Sequence, residues 1–110
     1  MGTIAAVMAN AENELELYRA IKSLSKAAEL RKLQLKIEIQ EEVMTYNKLT
    51  KEDIANSKII IMTGDSPIND IERFKGMTIF RTVTKAIEED AADILSRAAD
   101  INNSNIQCLS

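Results

Sequence analysis

Histidine and tryptophan are absent from the 110 residues, which contain one cysteine (Cys108), one proline (Pro67) and three glycines. Without imidazole, the usual histidine-bearing zinc sites and every histidine general base are excluded. A single thiol cannot close an internal disulfide. Cys108 also has no basic neighbour or helix start to lower its pKa, so it is not expected to act as a catalytic thiolate. Basic residues form no block: 14 Lys and Arg are interspersed with 17 Asp and Glu for a net charge of −3. The footprint that nucleic acid or an anionic lipid surface requires is therefore missing. No apolar run approaches the roughly 20 residues that span a bilayer, and no basic segment leads into an apolar leader. The expectation is a cytoplasmic domain with no direct membrane insertion, no nucleic-acid partner, no cofactor and no metal.

Apolar residues make up 45% and charged residues 28% of the chain. This is the composition of a helix-rich domain that buries a core without covalent staples. Thr3 to Ser25 organises the rest, because the apolar run Ile4-Ala5-Ala6-Val7-Met8 passes through Asn10 into a helical pattern. The helical face Leu17, Ile21, Leu24 and Ala28 predicts a helix to about Arg31. Leu33, Leu35, Ile37 and Ile39 then alternate with polar residues, predicting an edge strand with one buried and one wet face. Ile59 to Met62 is continuously apolar, as a central strand should be.

Between them, Leu49-Thr50-Lys51-Glu52-Asp53-Ile54 predicts a short helix. Thr50 is its N-cap, Asp53 the acid of a capping box, and Leu49 and Ile54 a hydrophobic staple. Gly64 suggests an unusual turn, and Ser66-Pro67 reads as cap and first residue of a short helix to Phe74. Met77 to Arg81 reads as the fourth strand. Thr82 is expected to cap one last helix with the face Ile87, Ala91, Ile94 and Ala98. The expected fold is a three-layer α/β domain over residues 1–100, followed by a flexible tail at 101–110. Its four-stranded parallel sheet has order 2-1-3-4, with helices on both faces.

This topology brings the loop after the first strand beside the loop after the third. Candidate site residues are therefore Asn10, Ala11, Glu12, Asn13, Glu14, Leu15, Glu16 and Leu17, with Thr63, Gly64, Asp65 and Ser66 opposite. Glu12, Glu14 and Glu16 complement the positive end of a helix dipole and repel an incoming anion. Two alternatives stay open on the residues alone. One is a cation or metabolite site using Glu12 and Asp65, and the other is nucleophilic chemistry at Ser66 or Cys108.

Three segments resemble the fructose-type enzyme IIB domain of the bacterial phosphoenolpyruvate:sugar phosphotransferase system. Lys26-Ala27-Ala28 through Leu33 to Gln40 is similar to the family's first-helix end and second strand. Asn47-Lys48-Leu49-Thr50-Lys51-Glu52-Asp53-Ile54-Ala55 resembles its Asn-x-Leu-Thr-x-x-Asp-Ile-Ala segment. Ile71-Glu72-Arg73-Phe74-Lys75-Gly76 resembles its Leu-Glu-Arg-Phe-x-Gly turn. The resemblance implies a role in sugar transport and phosphorylation, with IIA or phosphocarrier proteins and a membrane IIC component as partners.

It also implies where the family's reactive segment, Cys-Pro-Thr-Gly-Ile-Ala-His-Thr, should lie. An ungapped count back from Glu38 places Asn10 to Leu17 there, so Asn10 stands at the phosphocysteine, Asn13 at the glycine and Glu16 at the histidine. Ile39 and Glu41 also replace the Thr and Gly of the second-strand motif. The stretch Gly64-Asp65-Ser66-Pro67-Ile68-Asn69-Asp70 resembles IIB-like copies in some fructose transporters that lack the cysteine. A non-catalytic domain acting in docking or regulation is the expected function, with an active transferase using another acceptor as the alternative.

Overall fold

The computed structural model describes residues 3–103, the last three by backbone alone. Five strands form one mixed sheet: β1 (Thr3–Met8), β2 (Gln34–Gln40), β3 (Thr45–Tyr46), β4 (Ser57–Thr63) and β5 (Ile79–Thr82). Their spatial order is β3-β2-β1-β4-β5. The expected four-stranded parallel sheet is thus corrected to five strands, with β3 antiparallel on the outer edge of β2. β3 pairs only Ile39 with Tyr46 and Gln40 with Thr45, so most of the edge of β2 stays open. Two residues are too short to carry an alternating pattern, which is why this strand was not visible in the sequence.

Alternation along the central strands sorts the core into two layers. Ile4, Ala6, Met8, Ile59 and Ile61 face α1 (Glu14–Leu30), α3 (Thr84–Glu89) and α4 (Ala91–Asn103). Ala5, Val7, Ile60 and Met62 face the opposite side, where α2 (Lys51–Ala55) and a 3-10 turn (Ile71–Phe74) supply Ile54 and Phe74. The second side is the thinner layer, since α2 has five residues and the turn four.

α1 buries Leu17, Ala20, Leu24 and Ala28, with Ile21 half-buried beside them. Its two fully buried leucines each contribute roughly 1.5–3 kcal/mol over an exposed side chain. The helix stops where Lys32 turns left-handed (φ 57°). Lys32 N–H then reaches Glu29 O at 3.1 Å and Leu33 N–H reaches Ala28 O at 2.9 Å, a Schellman closure made with lysine where glycine is usual.

α2 carries the full capping box: Asp53 N–H donates to Thr50 Oγ1 and Thr50 N–H to Asp53 Oδ2, each at 3.0 Å. Two expected elements differ. No helix begins at Ser66-Pro67, and the only helical turn there is Ile71–Phe74, entered through left-handed Asp70 (φ 59°). Nor does Gly64 make a left-handed turn; among the described residues, the glycine with positive φ is Gly76 (φ 87°), leading toward β5.

The single last helix is in fact two, beginning after Val83 rather than Thr82. Asp90 breaks it, and Asp90 Oδ1 accepts from Asp93 N–H at 3.0 Å to cap α4. Ile87, Ala91, Ile94 and Ala98 are nonetheless all buried. α4 continues through Asn103, three residues into the segment expected as tail, and the rest of that segment, with Cys108, lies outside the described residues.

Candidate functional site

The carboxyl ends of β1 and β4 are strapped together by a buried threonine. Thr63 Oγ1 accepts from Ala9 N–H at 2.9 Å and donates to Ala9 O at 3.1 Å. This fixes the two candidate loops side by side, as the topology requires. Gly64 N–H in turn donates to Thr82 O at 2.8 Å, extending the strap to β5.

Asn10 sits at the mouth of this junction but is only 6% exposed. Its amide nitrogen donates to Thr84 Oγ1 at 3.0 Å and to Glu16 Oε1 at 3.4 Å. Thr84, fully buried, donates its own hydroxyl hydrogen bond to the same Glu16 Oε1 at 2.8 Å. Both amide protons of Asn10 are therefore committed, and Asn10 Oδ1 accepts from Asn13 N–H at 3.1 Å. Asn10, Thr84 and Glu16 close a polar circuit on themselves.

The backbone donors that would otherwise face a ligand are also engaged. Asn13 caps α1 by accepting from Glu16 N–H at 3.0 Å, and Leu17 N–H goes to Asn13 O at 3.1 Å. Ala11 N–H donates to Ser66 Oγ at 2.8 Å. Asp65 is held as well: its Oδ1 accepts from Thr84 N–H at 2.9 Å, capping α3 from another loop. Ser66 and Asp65 thus serve as acceptors that pin the second loop to the first loop and to α3.

The other expected site residues do not converge. Glu12, Glu14 and Leu15 are exposed, while Leu17 is core. Glu12 and Asp65 gather no third ligand, and no cluster of three carboxylates, thiols or imidazoles able to hold a metal forms among the described residues. A shallow cleft of about 220 Å³ opens between Ala11, Ser66 and Pro67 on one side and Gln40, Glu41 and Glu42 on the other. Tyr18 donates to Glu41 Oε2, and that hydrogen bond, with burial second, pushes the phenol up to about 12. The mouth of the site is acidic.

Two parts of the arrangement were missed from the sequence. Thr84 lies two residues past the expected cap, and its place in the circuit depends on β5 lying against β4. The second is the support beneath the loops. Glu38, on the face of β2 expected to be wet, is 1% exposed. Its carboxylate takes both terminal nitrogens of Arg73 at 2.7 and 2.6 Å, Gln40 Nε2 at 2.8 Å and Leu49 N–H at 2.8 Å.

Burial pushes the Glu38 carboxyl up, but the hydrogen bonds from Arg73, Gln40 and Leu49 outweigh it and hold the group below its usual range. Gln40 also exchanges two hydrogen bonds with the backbone of Asn69, at 2.8 and 3.2 Å. The loop carrying Asp65 and Ser66 is thereby tied to the second strand. Glu38 and Arg73, 35 residues apart in the chain, find each other only in space.

A three-layer α/β domain with its polar loops gathered at the carboxyl ends of β1 and β4 is the class these features define. The family model described as "PTS system, Lactose/Cellobiose specific IIB subunit" matches residues 18–97. The chain is 34% identical to the "PTS system fructose-like EIIB component 2" of Escherichia coli strain K12 over 97 residues, 88% of this chain and 92% of the relative. Among solved structures it is similar to an enzyme IIB subunit of the PTS system from Escherichia coli K12, at 26% identity, TM-score 0.83, and coverage of 94% and 96%. A domain of the fructose-specific IIABC component of Borrelia burgdorferi gives 26% identity, TM-score 0.80, and coverage of 88% and 92%. The chain belongs to the IIB family of the sugar phosphotransferase system and is a fructose-type IIB domain.

Proposed function

We propose that this domain has kept the IIB scaffold while losing the phosphoryl acceptor, and that it acts by docking phosphotransferase partners or regulating transfer among them. The observation that carries the reading is the closed circuit at Asn10, which the resemblance sets at the family's phosphocysteine. An amide is no substitute for a thiolate nucleophile. Glu16 places a carboxylate within 3.4 Å of the amide nitrogen, where an incoming phosphoryl group would meet like charge. The N–H groups of Ala11, Asn13 and Glu16 already serve side-chain oxygens, so they do not form an open anion cradle.

The partners implied are a IIA or phosphocarrier protein and a membrane IIC component. No helix among the described residues is long and apolar enough to cross a membrane. A cytoplasmic site of action suits such partners. The test is a pair of measurements with purified IIA. Titration of the labelled domain is expected to shift amides around residues 10–18 and 63–69, and phosphorylated IIA is expected to keep its phosphoryl group. Transfer to this chain, abolished by Ser66→Ala or Cys108→Ala, would replace the reading with a transferase using another acceptor.

A further inference from the structure

The thin second side of the sheet leaves a groove of about 600 Å³ beside α2, lined by none of the residues of the Asn10 circuit. It runs from Lys48 and Leu49 along α2 to Ala55, and its other wall carries Arg73 and the Lys75–Met77 segment leading into β5. Ile54 and Met77 give it an apolar floor, and Ala55 is exposed at its end. Three lysines, Lys48, Lys51 and Lys75, line it against one carboxylate residue, Asp70.

Arg73 is already spent on Glu38, and Asp70 lies 3.5 Å from Lys48 and 3.6 Å from Arg73. Lys51 and Lys75 form no ion pair among the described residues. A local excess of two positive charges thus borders an apolar concavity in a chain whose net charge is −3.

We propose that this groove binds a small organic anion: an aromatic or medium-chain aliphatic body lies against Met77, Ala55 and Ile54, and its carboxylate, sulfonate or phosphate head lies between Lys51 and Lys75. Charge complementarity selects the sign of the head. The apolar floor selects against a bare inorganic anion, which would gain nothing from it. The concavity falls in the size range of small-ligand pockets, roughly 300–1,000 Å³. A protein partner would instead need a broader face, on the order of 800 Å² per side. Binding here leaves the Asn10 circuit untouched, so it is independent of the proposed loss of transfer.

The probes are anilinonaphthalene sulfonate, which has the apolar body and one anionic head, and N-phenylnaphthylamine, which has the body alone. The sulfonate is expected to bind one to one and to perturb amides of residues 49–55 and 75–77. Lys51→Gln with Lys75→Gln, both exposed and free of ion pairs, should weaken it about tenfold, at two exposed charge contacts' worth of affinity. The same pair should leave N-phenylnaphthylamine affinity within about twofold, and Ala55→Trp should displace both probes by filling the groove. Unchanged sulfonate affinity in the lysine double variant overturns the proposal. So does perturbation confined to amides outside the groove, such as those of the exposed Leu15 and Tyr18.

Discussion

Replacing Glu38 with glutamine keeps the volume of the side chain and removes its charge from a site 1% exposed. In the native protein Oε1 accepts from Leu49 N–H and Arg73, and Oε2 accepts from Gln40 and Arg73. An amide nitrogen at either position faces two donors and leaves both without an acceptor, while the Arg73 guanidinium keeps its charge with only the half-exposed Asp70, at 3.6 Å, left to pair it. Breaking one partner of a buried pair costs about 3–5 kcal/mol. For a domain of this size that corresponds to a fall of about 12–20 °C in melting temperature.

Urea unfolding followed by circular dichroism at neutral pH gives the number directly. The pH dependence supplies a second check. Because the folded Glu38 carboxyl titrates below its ordinary value, its contribution is complete above the unfolded carboxylate pKa and is lost as pH falls through the folded one. The gap between wild type and Glu38→Gln should therefore be widest near neutrality and narrow in acid. A difference under about 1 kcal/mol at pH 7 would place the pair among ordinary surface contacts and refute the reasoning.

Other expectations follow from single contacts. Asn10→Ala should cost about 1–3 kcal/mol by leaving Thr84, Glu16 and Asn13 N–H short of a partner, and equal stability in urea would count against the circuit. Lys36 pairs with Asp53 at 2.5 Å, and its hydrogen bond, with that of Thr50 N–H, holds the carboxyl down at about 2. Lys36→Met should move the Asp53 titration up toward the ordinary carboxylate range, read by carbon NMR. Thr50→Ala removes one half of the capping box and should cost about 1 kcal/mol in the same urea assay; no loss would mean that tertiary packing alone holds α2.

What the sequence disclosed depended on the range of each interaction. Thr50 and Asp53 cap α2 over three residues, so their pattern was readable without tertiary knowledge. Ile4 to Met8 and Ile59 to Met62 announced central strands because burial on both faces leaves no polar alternation. Ser66-Pro67 misled because a serine before proline imitates a helix start, whereas the Ser66 hydroxyl oxygen accepts a hydrogen bond from Ala11 N–H in the neighbouring loop. Ile87, Ala91, Ile94 and Ala98 kept helical spacing across Asp90, so the break into α3 and α4 left the apolar pattern unchanged.

Glu38 was placed on a wet face because strand alternation says which side a residue takes, not what covers that side. Arg73, the cover, is 35 residues away. At the corner itself, Asn10, Asn13, Glu16 and Ser66 lie within one hydrogen-bonded set of loops, but Thr84 is absent from the sequence-based set. Its hydroxyl, contributed from beyond β5, closes the circuit with Asn10 and Glu16.

The most direct measurement is the intact mass of the full chain after incubation with phosphoenolpyruvate and the upstream phosphocarriers, with Asn10→Cys run beside it. Loss of the acceptor predicts unmodified mass for the native chain. It also predicts no stable phosphoprotein from the single cysteine variant, because the Glu16 carboxylate remains and the Ala11 and Glu16 N–H groups stay engaged. One added phosphoryl group on the native chain, at any residue, would contradict the account.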